Sequence, residues 1–177
     1  MRLFLAISIP AELRRRLFEA SQGLRKLGQM KLVEEENVHV TLKFLGEAEP
    51  EPVIKALGLV KSSPFEVSLK GIGVFPNTDY IKVIWAGCEK GVQEIITLHK
   101  QIESVLTNFE KDRDFHPHAT IARVSFPKDK ERLVKFLETS KEREFGSFEV
   151  MSFDLMRSQL FREGPKYGVV RSFPLKL

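Results

Sequence analysis

Cysteine is nearly absent from this chain. Its 177 residues hold one, Cys88, which excludes an internal disulfide and any structural zinc centre built on several thiolates. That scarcity fits a reducing, cytoplasmic setting. Long apolar runs are missing too: stretches such as Leu3-Phe4-Leu5-Ala6-Ile7 fall far short of the roughly 20 residues a membrane-spanning helix needs. No membrane association is expected. Leu3 to Ile9 could open a leader, but Pro10 and the charged residues Glu12 to Arg16 stand where a small-residue cleavage site belongs, so no signal peptide is read. Charge of one sign is also scarce. Lys+Arg 28 against Asp+Glu 24 leaves a net charge of +4, which permits a phosphate-bearing partner without demanding one. No Pro/Gly/Ser-rich linker or low-complexity tract divides the chain. What remains is a mixture of 42% hydrophobic and 29% charged residues, enough to bury a core as one domain or as two small lobes sharing one.

Periodicity places the elements. Arg2 to Ile9 reads as a largely buried strand stopped by Pro10, and Leu13, Leu17, Ala20, Leu24 and Leu27 recur at helical spacing over 11–27. Val38 to Leu45 alternates as a strand, and a second helix is expected near Val53 to Val60. Pro64 to Val74 and Tyr80 to Ala86 form a hairpin around Phe75 to Asp79, followed by a helix over Gly91 to Phe109. His118 to Val124 is again strand-like, Lys128 to Glu138 is a short charged helix, and Phe145 to Leu160 and Tyr167 to Leu175 are β-rich around the Gly164-Pro165 turn. Helices at intervals between hairpin-linked strands fit an α+β layering better than a doubly wound parallel sheet.

Within two of these strands lies a short internal echo. Val38-His39-Val40-Thr41-Leu42 and Pro117-His118-Ala119-Thr120-Ile121 are both His-x-Thr followed by a branched apolar residue, 79 positions apart, in a chain with four histidines. On a strand, residues two apart point the same way, about 6.5 to 7 Å apart. Each segment therefore offers one imidazole and one hydroxyl on a rigid surface while Val40, Leu42, Ala119 and Ile121 face a core. In-line displacement at phosphorus needs a base and an acid on opposite sides of the phosphate, and histidine suits both tasks near neutrality. Thr41 and Thr120 would donate to the nonbridging oxygens, where transition-state charge develops. The chemistry calls for no metal and no cofactor. The residues alone do not choose which histidine is the acid.

With these flanks the chain resembles the 2H phosphoesterase superfamily, named for two His-x-Thr/Ser-x motifs. Within it, the chain is similar to the RNA 2′,3′-cyclic phosphodiesterases, also called 2′-5′ RNA ligases. The likeness runs from Arg2-Leu3-Phe4-Leu5-Ala6-Ile7 through Glu36 to Gly46, Gly73-Val74-Phe75-Pro76, Val83 to Gly87 and Phe115 to Arg123, to Met156-Arg157-Ser158 and Gly164 to Tyr167. The resemblance implies a bilobal α+β fold of two pseudo-symmetric antiparallel β-sheet lobes, helices outside and a central cleft. Residues 1–177 would form a single domain of two intertwined lobes, carrying motifs 39–42 and 118–121. It implies hydrolysis of RNA 2′,3′-cyclic phosphate ends to 2′-phosphomonoesters by a monomeric enzyme, with His39 the proton donor and His118 the proton acceptor. With an RNA 5′-hydroxyl end in place of water, the same chemistry would join ends without ATP. Accordingly, Gly23 to Gly28 has phosphate-loop spacing but Gln29 and Met30 where Lys and Ser/Thr are needed.

Four further residues are weighed. Lys43, four positions after His39, falls on its face as a candidate phosphate contact, and Arg123 is a candidate because the family often has an arginine there. Strict alternation nevertheless puts Arg123 opposite His118 unless a bulge intervenes. His116 has His-x-His spacing but no Asp or Cys in register and reads as a loop residue before the strand, while His99 borders the apolar stripe of its helix and reads as structural. Rival functions are an RNA-end binding module without turnover, and a phosphodiesterase for a small cyclic phosphate such as ADP-ribose 1″,2″-cyclic phosphate.

Overall fold

Residues 1–176 are described by the computed structural model. The elements run β1 (Arg2–Ser8), α1 (Ala11–Gln22), β2 (Gln29–Leu32), β3 (His39–Glu47), α2 (Pro50–Leu57), β4 (Phe65–Asn77), β5 (Tyr80–Cys88), α3 (Val92–Val105), β6 (His118–Phe126), α4 (Lys130–Thr139), β7 (Glu144–Val150), β8 (Ser152–Phe161) and β9 (Gly164–Pro174). Leu13, Leu17 and Ala20 give α1 its buried stripe. The helix stops at Gln22 rather than near Leu27, yet Leu24 and Leu27 stay buried in the turns that follow. Their apolar spacing serves the core without helix, because the chain must reverse here for β2 to pair with β6. In α4 the Asp129 side chain accepts the Arg132 N–H at 3.0 Å, a side-chain cap. The hairpin turn is shorter than the sequence implied: Asn77 Oδ1 accepts the N–H groups of Asp79 (2.9 Å) and Tyr80 (3.0 Å), so the strands run up to Asn77 and from Tyr80.

All strand pairings are antiparallel and belong to one nine-stranded sheet, in the order β7-β4-β5-β6-β3-β1-β8-β9 with β2 beside β6. The fold is α+β, as expected, and its two halves share this continuous sheet. Their order is mirrored about the β3–β6 junction: β3-β1-β8-β9 runs one way and β6-β5-β4-β7 the other. The helices cross between halves. α1 packs on β6 and β7, while α3 packs on α2 and β3. One face of the sheet thereby closes over the core of Leu3, Leu5, Ile7, Leu42, Ile84, Ile95 and Ile121. The other face keeps its polar and aromatic residues at the centre.

Candidate active site

The two motif strands meet at one point, where Val40 pairs with Ala119. Antiparallel register about that pair puts His39 opposite Thr120 and Thr41 opposite His118. Val40, Leu42, Ala119 and Ile121 are at most 1% exposed on the core side, so the two histidines and two threonines share the other face. Diagonal neighbours on adjacent strands are about 7–8 Å apart. That separation admits one tetrahedral phosphate between the two rings.

Each ring is held the same way. His39 Nδ1–H donates to the Asn37 carbonyl at 2.7 Å, and His118 Nδ1–H donates to the His116 carbonyl at 2.6 Å. A carbonyl only accepts, so Nδ1 carries the proton and Nε2 is the nitrogen that exchanges one. In the neutral ring, the Thr41 hydroxyl donates to His39 Nε2 at 2.8 Å. Burial is the main cause that holds both histidines below their ordinary pKa. The backbone carbonyl opposes it in each case, and the Arg123 charge adds to it.

A bulge follows each threonine. In the β1–β3 ladder Leu5 pairs with Lys43 and Ala6 with Thr41; in the β5–β6 ladder Ile84 pairs with Ala122 and Trp85 with Thr120. Leu42 and Ile121, 79 positions apart, are the extra residues. Beyond them the faces exchange. Arg123 turns onto the histidine face and is exposed, close enough for its charge to act on His39, His118 and Tyr167. Lys43 turns inward, which corrects its expected place beside a phosphate. It is 2% exposed, pairs with Glu103, lies 3.6 Å from Asp112 and donates to the Glu110 carbonyl at 2.7 Å. His99 completes this cluster, 2.8 Å from Asp112 and stacked on Phe115. His99, Glu103 and Asp112 have metal-ligand chemistry, but the Lys43 ammonium among them already supplies the positive charge.

Aromatic rings wall both histidines. Phe4 lies 5.1 Å from His39, and Tyr167 meets His39 edge-on at 5.5 Å. Phe75 meets His118 edge-on at 4.9 Å, with Trp85 at 6.0 Å. The Trp85 ring lies directly over Gly73, where a Cβ would run into it. Burial raises the Tyr167 phenol, keeping it a protonated donor wherever the histidines titrate.

A family model described as LigT like Phosphoesterase matches residues 7–85 and again 87–167, each stretch holding one motif. The chain belongs to the LigT-like phosphoesterase family. An RNA 2′,3′-cyclic phosphodiesterase of Methanocaldococcus jannaschii is 40% identical over 176 residues, covering 98% of this chain and 100% of that protein. A crystal structure of a Thermus thermophilus protein superposes with a TM-score of 0.79 at 32% identity, covering 99% of this chain and 98% of that one. Escherichia coli LigT complexed with 3′-AMP gives 0.77 at 25%, with the same coverage. Among the described residues of this LigT-like phosphoesterase, no helix is long and apolar enough to cross a membrane.

Sequence reasoning missed the walls. Phe4, Phe75, Trp85 and Tyr167 sit in the segments that carried the family likeness, and that was their only signal. His116 read as a loop residue; it supplies the carbonyl that orients His118 and packs 5.2 Å from Trp85.

Proposed function

We propose that this phosphoesterase opens the 2′,3′-cyclic phosphate at an RNA end to a 2′-phosphomonoester, with the two histidines as acid and base. The observation that carries the reading is the pair of imidazoles at diagonal positions of the two motif strands, each fixed through Nδ1 to a carbonyl so that Nε2 is the nitrogen that exchanges a proton. The relatives named RNA 2′,3′-cyclic phosphodiesterase supply the substrate class. His118 Nε2 takes a proton from water as its oxygen bonds to phosphorus; the bond to O3′ breaks in line, and His39 Nε2 gives O3′ its proton. Each transfer contributes roughly 10² to 10⁴ in rate. Both rings are fixed through Nδ1 to a carbonyl, so this acid and base assignment rests on the family resemblance. Thr41 and Thr120 hold the nonbridging oxygens, and Arg123 offsets their growing charge.

An RNA 5′ hydroxyl in the place of water would attack the same phosphorus and form a 2′-5′ linkage, driven by release of ring strain. Water at about 55 M favours hydrolysis unless that hydroxyl is held with a large effective molarity. The test is a defined RNA with a cyclic end, incubated with and without a 5′-hydroxyl partner. A 2′-phosphate product supports the reading. Tight binding with the end unchanged would make the protein a binding module, and exclusive turnover of ADP-ribose 1″,2″-cyclic phosphate would move the substrate off RNA.

A further inference from the structure

One face of the sheet carries an apolar row that the two-histidine chemistry does not use. Register places Phe44 of β3 opposite Phe4 of β1, Phe4 opposite Met156 of β8, and Met156 opposite Val169 of β9. Directly opposed residues in antiparallel strands share a face, so the four form one ledge across four strands. Its ends are open: Phe44 is 68% and Val169 59% exposed, while Phe4 between them is buried. Ser158, two residues along β8 from Met156, opposes Tyr167, which puts the Tyr167 ring on the same face. Leu160, the next residue of that face, is 82% exposed.

We propose that this ledge is where the unpaired bases of the RNA strand leading to the cyclic end lie. The proposal rests on the phosphodiesterase reading and names the part of the substrate that reading leaves unplaced.

Three observations favour a nucleic-acid strand. First, the ledge is continuous with the site through Phe4, whose ring is 5.1 Å from His39, 4.9 Å from Tyr167 and 6.2 Å from Phe44. A strand whose terminal phosphate lies between the histidines must leave the cleft over a neighbouring surface. Second, the flanking charge is complementary. Arg2, exposed and two residues before Phe4 on the same face, and Arg123 both act electrostatically on Tyr167. Third, the dimensions fit. Three inter-strand spacings of about 4.8 Å give the ledge a span of roughly 14 Å, enough for the two or three bases that open sheet faces hold in RNA-binding folds. The opposite wall offers less room, since Trp85 is already seated on Gly73.

The bulge at Leu42 is what makes the ledge. Without that extra residue Phe44 would point into the core and the row would begin at Phe4. The same bulge at Ile121 brings out Arg123 in the other half. Matching positions of the repeat thus present a ring to a base in one half and a guanidinium to a phosphate in the other.

The test compares kcat/KM for a short cyclic-ended oligoribonucleotide with that for adenosine 2′,3′-cyclic monophosphate. The wild-type protein should favour the oligonucleotide, and Phe44→Ala should cut that ratio at least about fivefold, the lower end of what losing one base–aromatic stack costs. Phe44→Tyr should restore it, and Val169→Asp, at the far end of the ledge, should lower it independently. A ratio that holds in both Phe44→Ala and Val169→Asp overturns the proposal, whatever the absolute rates. So does a wild-type protein with no preference for the longer substrate. A wild-type dimer that Phe44→Ala splits, by light scattering, would give the ledge to a second copy and also overturn it. If the wild-type protein opens neither compound, the phosphodiesterase reading itself fails and the ledge falls with it.

Discussion

Replacing Lys43 by Met removes the one cation in a buried cluster. Its side chain is 1% exposed, and Glu103, its partner, is 11% exposed. Taking away one member of a buried pair strands the other charge at a cost of about 3–5 kcal/mol, a large part of the roughly 5–15 kcal/mol that holds a domain of this size. At about 2–4 °C per kcal/mol for such a length, Lys43→Met should lower the melting temperature by roughly 6 to 20 °C in a calorimetric scan at pH 7. Asp112 is 38% exposed and can turn to water, so Glu103 carries most of the penalty. The double variant Lys43→Met/Glu103→Gln, which leaves no stranded charge, should recover most of the loss. The consequence reaches the site, because the cluster pins the loop that leads into His116 and His118: Lys43 holds the Glu110 carbonyl, and His99 holds Asp112 and stacks on Phe115. A Lys43→Met melt within about 2 °C of wild type, or a double variant as unstable as the single one, would refute the buried-strut account and return Lys43 to the surface role its sequence position suggested.

Four further outcomes are expected. His39→Ala and His118→Ala should each lower kcat/KM on a cyclic-ended RNA by roughly 10² to 10⁴ while the circular dichroism spectrum stays that of the wild type; an unchanged rate in both would remove the acid–base mechanism. The pH profile of kcat/KM should be a bell centred below the ordinary histidine value, since burial first, and the Arg123 charge after it, disfavour the imidazolium of both rings. Arg123→Met deletes one positive neighbour of each, so both limbs should move to higher pH, and limbs that stay in place would separate Arg123 from the histidines. Burial pushes the Cys88 thiol up to about 12, so native protein should resist iodoacetamide at neutral pH and react once unfolded; rapid native labelling counts against the packing of β5.

Much of this was legible because alternation and helical spacing survive in single elements. His39 with Thr41, and His118 with Thr120, could each be placed on one face of a strand from the sequence, since a period of two needs only a few residues to set it; that the two pairs share a face comes from the pairing of Val40 with Ala119. What escaped depends on one inserted residue. The bulges at Leu42 and Ile121 leave no compositional trace, yet each exchanges the faces of the residues just after it, which is why Lys43 went to the core and Arg123 to the histidine face. β2 escaped for another reason: four residues, Gln29 to Leu32, are too few for a pattern, and β6 is what holds them extended. The aromatic walls come from β1, β4, β5 and β9, four separate elements, and only the assembled sheet brings them to the histidines.

The central claim is a metal-independent opening of a cyclic phosphate between two histidines, and the most direct measurement is the phosphorus NMR spectrum of the product made from a cyclic-ended RNA in the presence of excess EDTA. The account predicts complete conversion to the 2′-phosphomonoester. A 3′-phosphomonoester, or conversion that begins only when a divalent cation is returned, would contradict it.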